Sequence, residues 1–219
     1  MKAVFATIAT LALSVFAAPA AAEVSAVAVR SAAVAQPEFA VLKRDQTAED
    51  LIDAINKATD NINTIGVSIN VTITKVKSGA ISKPEGIKLV NDELQKLLKD
   101  IGDIGSQFLA AARVAVSKET IKVILKAVEA WFRAAVSVFS AVLINFSGSI
   151  TLSFTIHVAF SLFVSFLTGL AGVFGKDIVP GLLAIFQGFV NEFKGSAGVV
   201  LGPFLKFIIH FLQGLPGGQ

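Results

Sequence analysis

The stretch SGSITLSFTIHVAFSLFVSF, residues 147–166, decides the fold. Ile150, Leu152, Phe154, Ile156, Val158, Phe160, Leu162, Val164 and Phe166 occupy every even position. Ser149, Thr151, Ser153, Thr155, His157, Ala159, Ser161 and Ser165 occupy odd ones, and only Phe163 interrupts. Read as a strand, this is one apolar face and one hydroxyl-rich face. With Ser147-Gly148-Ser149 as a turn and Val138 to Phe146 as partner, residues 137–166 make an amphipathic β-hairpin. Read as a helix, the segment is apolar nearly all round, and its hydroxyls bond back to carbonyls four residues earlier. Length favours the helix. A strand over 149–166 is long, whereas Ile150 to Gly175 at about 1.5 Å per residue is of bilayer-spanning length. The expectation is a mainly α helical bundle, with the α+β hairpin as the alternative.

The same stretch lies inside a sharp compositional break. Residues 45–133 carry 24 charged side chains. Residues 134–219 carry five, Lys176, Asp177, Glu192, Lys194 and Lys206, and none falls between Ala134 and Gly175. The chain therefore reads as an amphipathic helical region, 45–133, followed by a hydrophobic Gly- and Phe-rich helical region, 134–219.

In the first region Thr47 and Asp50 form a capping-box pattern. Leu51, Ile55, Ala58, Ile62, Ile65 and Ile69 then recur at helical spacing. Ser82, Pro84 and Glu85 start a second helix, with Ile87, Val90, Leu94, Leu97, Ile101, Ile104 and Phe108 as its stripe. Ser117 caps a third, whose buried face is Ile121, Ile124, Leu125, Val128 and Phe132. Val67, Ile69, Val71 and Ile73 alternate with polar residues as a strand would, but the helical stripe continues on both flanks. Charges on the opposite faces read as solvated.

Beyond Gly175, Gly181, Gly188, Gly195 and Gly202 fall seven residues apart. Such glycines drift only about 20° per step around one helix, forming a helix-packing seam. Gly198 with Gly202 adds a G-x-x-x-G spacing. Pro180 and Pro203 suit first-turn positions, giving helices near 179–194 and 203–213.

The N-terminus reads as a leader. Lys2 precedes an apolar run from Val4 to Phe16, Pro19 breaks it, and small residues end it. Residues 1–22 are a signal peptide cleaved after Ala22, or after Ala20. Residues 23–44 are a pro-segment ending in the dibasic pair Lys43-Arg44, which resembles a kexin-type processing site of the fungal secretory pathway. Lys2, Arg30, Lys43 and Arg44 leave with the leader, as do Glu23 and Glu38. The remaining chain carries 15 basic and 14 acidic side chains. That balance gives no support for nucleic-acid binding, which needs clustered excess Lys and Arg.

Chemistry is sparse. There is no Cys, so thiol catalysis, thiolate metal sites and disulfide frameworks are excluded. His157 and His210 lie in apolar surroundings with no neighbouring carboxylate. Neither G-x-S-x-G nor H-E-x-x-H occurs, and Gly169 to Asp177 departs from a phosphate loop in spacing, with Asp177 where Ser or Thr must hold magnesium. No catalytic, cofactor-binding or metal-binding residue is expected, and the protein is expected not to be an enzyme. Two sequons, Asn70-Val71-Thr72 and Asn145-Phe146-Ser147, mark candidate N-glycosylation sites.

A helix apolar on all sides is buried in a large core or in a membrane. The expected protein is therefore a secreted amphiphile, extracellular or in the cell wall, whose partner is lipid, a membrane or a hydrophobic surface. The alternative is a membrane-inserting or pore-forming protein of the secretory pathway that uses 134–175 as a hairpin; its β form resembles the inserting segments of β-pore-forming toxins. A homo-oligomer burying the apolar half is a third reading.

The leader ending in Lys43-Arg44, the Cys-free chain after it and the helices from Leu51 to Phe108 resemble fungal hydrophobic-surface-binding and cell-wall galactomannoprotein families. The resemblance covers residues 42–116. It implies a secreted helical protein associated with hydrophobic surfaces or lipids, and carries over no functional residue. The charge-free stretch and the glycine heptads depart from it.

Overall fold

The structure, a computed structural model, describes residues 47–193 and 195–218. Among them run six helices and no strand: α1 (Ala48–Lys77), α2 (Lys83–Ala110), α3 (Lys118–Asn145), α4 (Ile150–Phe174), α5 (Val179–Glu192) and α6 (Gly195–Gln213). A single 3-10 turn, Lys176–Ile178, leads into α5.

Side-chain caps start the long helices. The Thr47 backbone N–H donates to Asp50 Oδ2 at 2.8 Å, and the Asp50 N–H donates back to Thr47 Oγ1 at 3.2 Å. That reciprocal pair satisfies two donors left open at the N-terminus of α1. The N–H groups of Glu85, Thr120 and Leu152 donate to the hydroxyls of Ser82, Ser117 and Ser149 in the same way. The first three starts match the sequence expectation. Ser149, a turn residue in the hairpin alternative, is the cap of α4.

The β-hairpin alternative at 137–166 is thereby overturned. The even-numbered apolar residues do not share a helix face: Leu152, Ile156, Phe160 and Phe166 are buried, Val158, Leu162 and Val164 are half-buried, and Ile150 and Phe154 are exposed. Thr155, Ser161, Ser165 and Thr168 donate to the carbonyls of Thr151, His157, Ser161 and Val164. Each of these four hydroxyls is satisfied within its own helix, and the alternation places no demand for a second strand. Residues 67–74 are helical for the same reason, with Thr72 and Thr74 donating to Ser68 and Asn70.

α2 lies between α1 and α4, and α3 packs on the other side of α1. The α5–α6 hairpin fills the space between α3 and α4. α2 and α4 approach closely because glycine stands at the contact: a β-carbon at Gly105 would lie 3.7 Å from the Phe166 backbone nitrogen. α3 and α4 stand further apart, held by aromatic rings. Trp131 meets Phe163 and Phe166 edge-on at 4.7 Å each, and Phe132 meets Phe163, Phe186 and Phe189 at 4.8, 4.6 and 5.3 Å. Such pairs add about 0.5–1.5 kcal/mol each beyond their burial.

The compositional boundary at Arg133/Ala134 falls in the middle of α3 and divides nothing. The aliphatic stripes of α1 and α2 and the aromatic residues of α3, α4 and α5 belong to one continuous core. Of the C-terminal helices, α5 matches expectation, with Pro180 in its first turn and its end at Glu192. α6 differs: it begins at Gly195, with Pro203 in its interior rather than at its start. Pro costs about 3 kcal/mol inside a helix. The fully buried Leu201, Leu205, Ile208 and Leu212 carry α6 across it.

Candidate functional site

Two surfaces stand out from the otherwise buried apolar chemistry. The first is one end of the bundle. At the α3–α4 turn the Phe146 N–H donates to Val142 O and Ser149 N–H to Phe146 O, with Gly148 at φ 85°. Only glycine enters that backbone region without a steric cost. Phe146 turns inward, 2% exposed, and its ring lies 3.4 Å from where a β-carbon of Gly86 would stand. Val76 Cγ2 presses on the same glycine. The end of α1, the start of α2 and the end of α3 therefore meet here. Thr155 Oγ1, which lies 2.9 Å from Asn91 Oδ1, adds the start of α4.

Large apolar side chains point outward at this end. Ile150 is 86% exposed, Phe154 70% and Ile144 56%, on either side of the α3–α4 turn. Leu89 is open on α2, and Val67 and Val71 on α1, with Val67 at the α1–α3 groove; Leu109, Val123 and Phe207 lie elsewhere. Apolar residues exposed singly are ordinary, but several about one turn of chain mark an interaction surface.

The second surface is an open groove of about 510 Å³ between α1 and α3. Thr59, Asn63, Gly66 and Asn70 line one wall, and Ala130, Ala134, Ser137 and Ala141 the other. Its floor is shallow because Gly66 lets Val138 approach, 3.1 Å from where a β-carbon would be. Arg133 is the charged group in it, and it is committed elsewhere. Its guanidinium bonds Glu129 at 3.1 Å and Glu192 on α5, and lies 5.0 Å over the Phe189 ring. Those hydrogen bonds hold Arg133 above its ordinary pKa.

The other perturbed groups are dispersed. Burial pushes the Asp100 carboxyl up, against a hydrogen bond from Asn61 that lowers it. Burial pushes His157 down, its ring edge-on to Phe204 at 4.7 Å. The backbone and side chain of Thr47 hold exposed Asp50 low. No two of these form an acid–base pair with a shared pocket, and among the described residues no three His, Asp or Glu side chains converge as metal ligands do.

The residues singled out in the sequence are not brought together. Ala22, Lys43 and Arg44 lie outside the described residues. Asn70 is exposed on α1 at the groove. Asn145 is half-buried at the end of α3, and its Nδ2 donates to Ala141 O at 2.8 Å. The four glycines do not form one seam. Gly181 and Gly188 are on α5, whereas Gly195 and Gly202 are on α6, so the chain turns between the second and third. Gly181 seats the Leu125 side chain, while a β-carbon at Gly188 or Gly202 would meet nothing within 4 Å.

Sequence reasoning missed the lysines beside the apolar end. Lys75 and Lys77 close α1 and Lys83 and Lys88 open α2, all exposed. They read as solvated charges because only the topology brings them to the α3–α4 turn. No protein-family model matches the chain, and neither the curated proteins nor the solved structures contain a significant match to it.

Proposed function

We propose that this is a non-enzymatic, secreted amphiphilic protein that binds lipid or another hydrophobic surface, at the cell wall or outside the cell. The single observation that carries the reading is the exposure of Ile144, Ile150 and Phe154 about the α3–α4 turn of a bundle whose core is otherwise closed. Fully burying one such side chain contributes about 1.5–3 kcal/mol, so three partly exposed ones offer on the order of 3 kcal/mol to an apolar surface. The apolar leader of residues 1–22 supports passage through the secretory pathway. The test is partitioning of the purified full chain. Detergent-free solubility together with adsorption to lipid vesicles or hydrophobic beads is expected; retention in the aqueous phase with neither sinks the reading.

A second reading, membrane insertion through 134–175, is favoured by one observation. α3 and α4 are long and apolar enough to cross a membrane by length and composition. Against it, half of the most apolar stretch of α3 and 44% of that of α4 are buried inside the bundle. Beyond Phe154 the outward stripe of α4 is Ser161, Ser165, Thr168 and Gly172, a face built for water more than for acyl chains. Release of a trapped dye from vesicles supports insertion; binding without release supports the surface amphiphile.

A further inference from the structure

We infer that the bundle docks end-on, with its core closed, onto the interface of an anionic lipid bilayer, through the end formed by the α1–α2 and α3–α4 turns. This rests on the lipid-binding reading above and adds orientation and headgroup charge to it.

Three features converge. Ile150 and Phe154 are one turn apart on the same face of α4 and are the most exposed large apolar side chains among the described residues. One turn along a helix standing on the surface is about 6 Å. That matches the roughly 5–10 Å to which apolar anchors enter the headgroup–acyl boundary. The charge at this end is one-sided. The last six residues of α1 and the first six of α2 hold Lys75, Lys77, Lys83 and Lys88 against Glu85, with Asp92 and Glu93 about one turn further down α2, and residues 141–156 hold no charge. The opposite end is mixed, with Glu49, Asp50 and Asp53 at the start of α1 and Glu119 beside Lys118 and Lys122 at the start of α3. A lysine patch beside an apolar turn complements a phosphate-bearing interface, each such lysine adding electrostatic attraction that falls off within a Debye length. The tip also needs no rearrangement to present itself, because Phe146 is already turned in and Ser149 already caps α4.

The experiment is co-sedimentation of the full chain with phosphatidylcholine vesicles, with and without phosphatidylserine, at low and high salt. Binding is expected to be stronger with phosphatidylserine and to weaken in salt. Lys75→Glu with Lys77→Glu is expected to weaken anionic-vesicle binding roughly tenfold or more. Ile150→Ser with Phe154→Ser is expected to weaken it on both compositions, while Leu109→Ser with Val123→Ser, at the other end, changes nothing. Trp131, the sole tryptophan and 1% exposed, reports the core: its emission is expected to stay unshifted on docking, and in every variant it verifies folding. Equal binding to both compositions overturns the charge assignment. Loss of binding through Leu109 and Val123 overturns the orientation. Quenching of Trp131 by brominated acyl chains overturns the closed core. Association of the chain with itself through Ile150, with no vesicle binding, overturns the lipid partner. Absence of binding to any vesicle or hydrophobic bead overturns the underlying function as well.

Discussion

Gly169 on α4 lies directly against the backbone of Phe108 on α2: a β-carbon there would stand 2.9 Å from the Phe108 carbonyl carbon and 2.8 Å from the Leu109 nitrogen. Backbone cannot swing aside as a side-chain tip can. Gly169→Ala is therefore expected to destabilise by about 1–3 kcal/mol, the range for overpacking a close-packed core. Gly105→Ala, where the nearest atom would be at 3.7 Å, is expected to cost far less. Urea denaturation followed by Trp131 emission measures both, and equal midpoints would contradict the close approach of α2 and α4.

Gly188 gives the opposite expectation. It is helical and open where a methyl would go. Alanine there is expected to stabilise by up to about 1 kcal/mol through helix propensity. A drop in thermal midpoint, or loss of an oligomer seen by light scattering, would instead restore the glycine run as a packing seam.

His157 gives the fold an acid-sensitive element. Its folded pKa is lowered from the ordinary 6.5 by burial, so the unfolded chain binds more protons in that window. Stability is fully present above about pH 6.5 and falls as pH drops through 6.5 toward the folded value. Thermal melts at pH 7 and pH 5 are expected to separate for the wild type and to separate less for His157→Gln. Asp100 has the opposite sign: its folded pKa is raised above 3.8, so its cost is relieved as pH falls further. The two windows differ, and an acid melt unchanged by His157→Gln would remove His157 as the cause.

Arg133 ties α3 to α5 through Glu192, yet both side chains are about half exposed. A double-mutant cycle with Arg133→Ala and Glu192→Ala is expected to give a coupling of about 1 kcal/mol or less. Hydrogen exchange is expected to quicken in α5 before it does in α2. A coupling of several kcal/mol would mean that the pair is screened from water far more than its exposure implies.

The helices of the first region were legible because charge and apolar spacing agree there. Leu51 to Ile69 and Val90 to Phe108 are both the periodic residues and the buried ones. α4 was ambiguous because Ser and Thr alternate with β-branched and aromatic residues, and a satisfied i−4 hydroxyl looks in sequence like one face of a strand. Ser149 carried the deciding local signal, a cap three residues before Leu152, hidden within a turn-like Ser-Gly-Ser. Pro203 misled because its local cost is offset by four buried aliphatic residues spread along α6. The apolar end could not be read at all. Ile150, Phe154, Lys77 and Lys83 share one end only through the antiparallel path of four helices.

The outward hydroxyls of α4 carry one more consequence. Ser161, Ser165 and Thr168 already donate to the carbonyls of their own helix, so that face asks nothing of whatever lies beside it. Whatever lies beside these hydroxyls, water or a neighbouring surface, meets no unmet donor there, and α4 keeps its secondary structure without help from either.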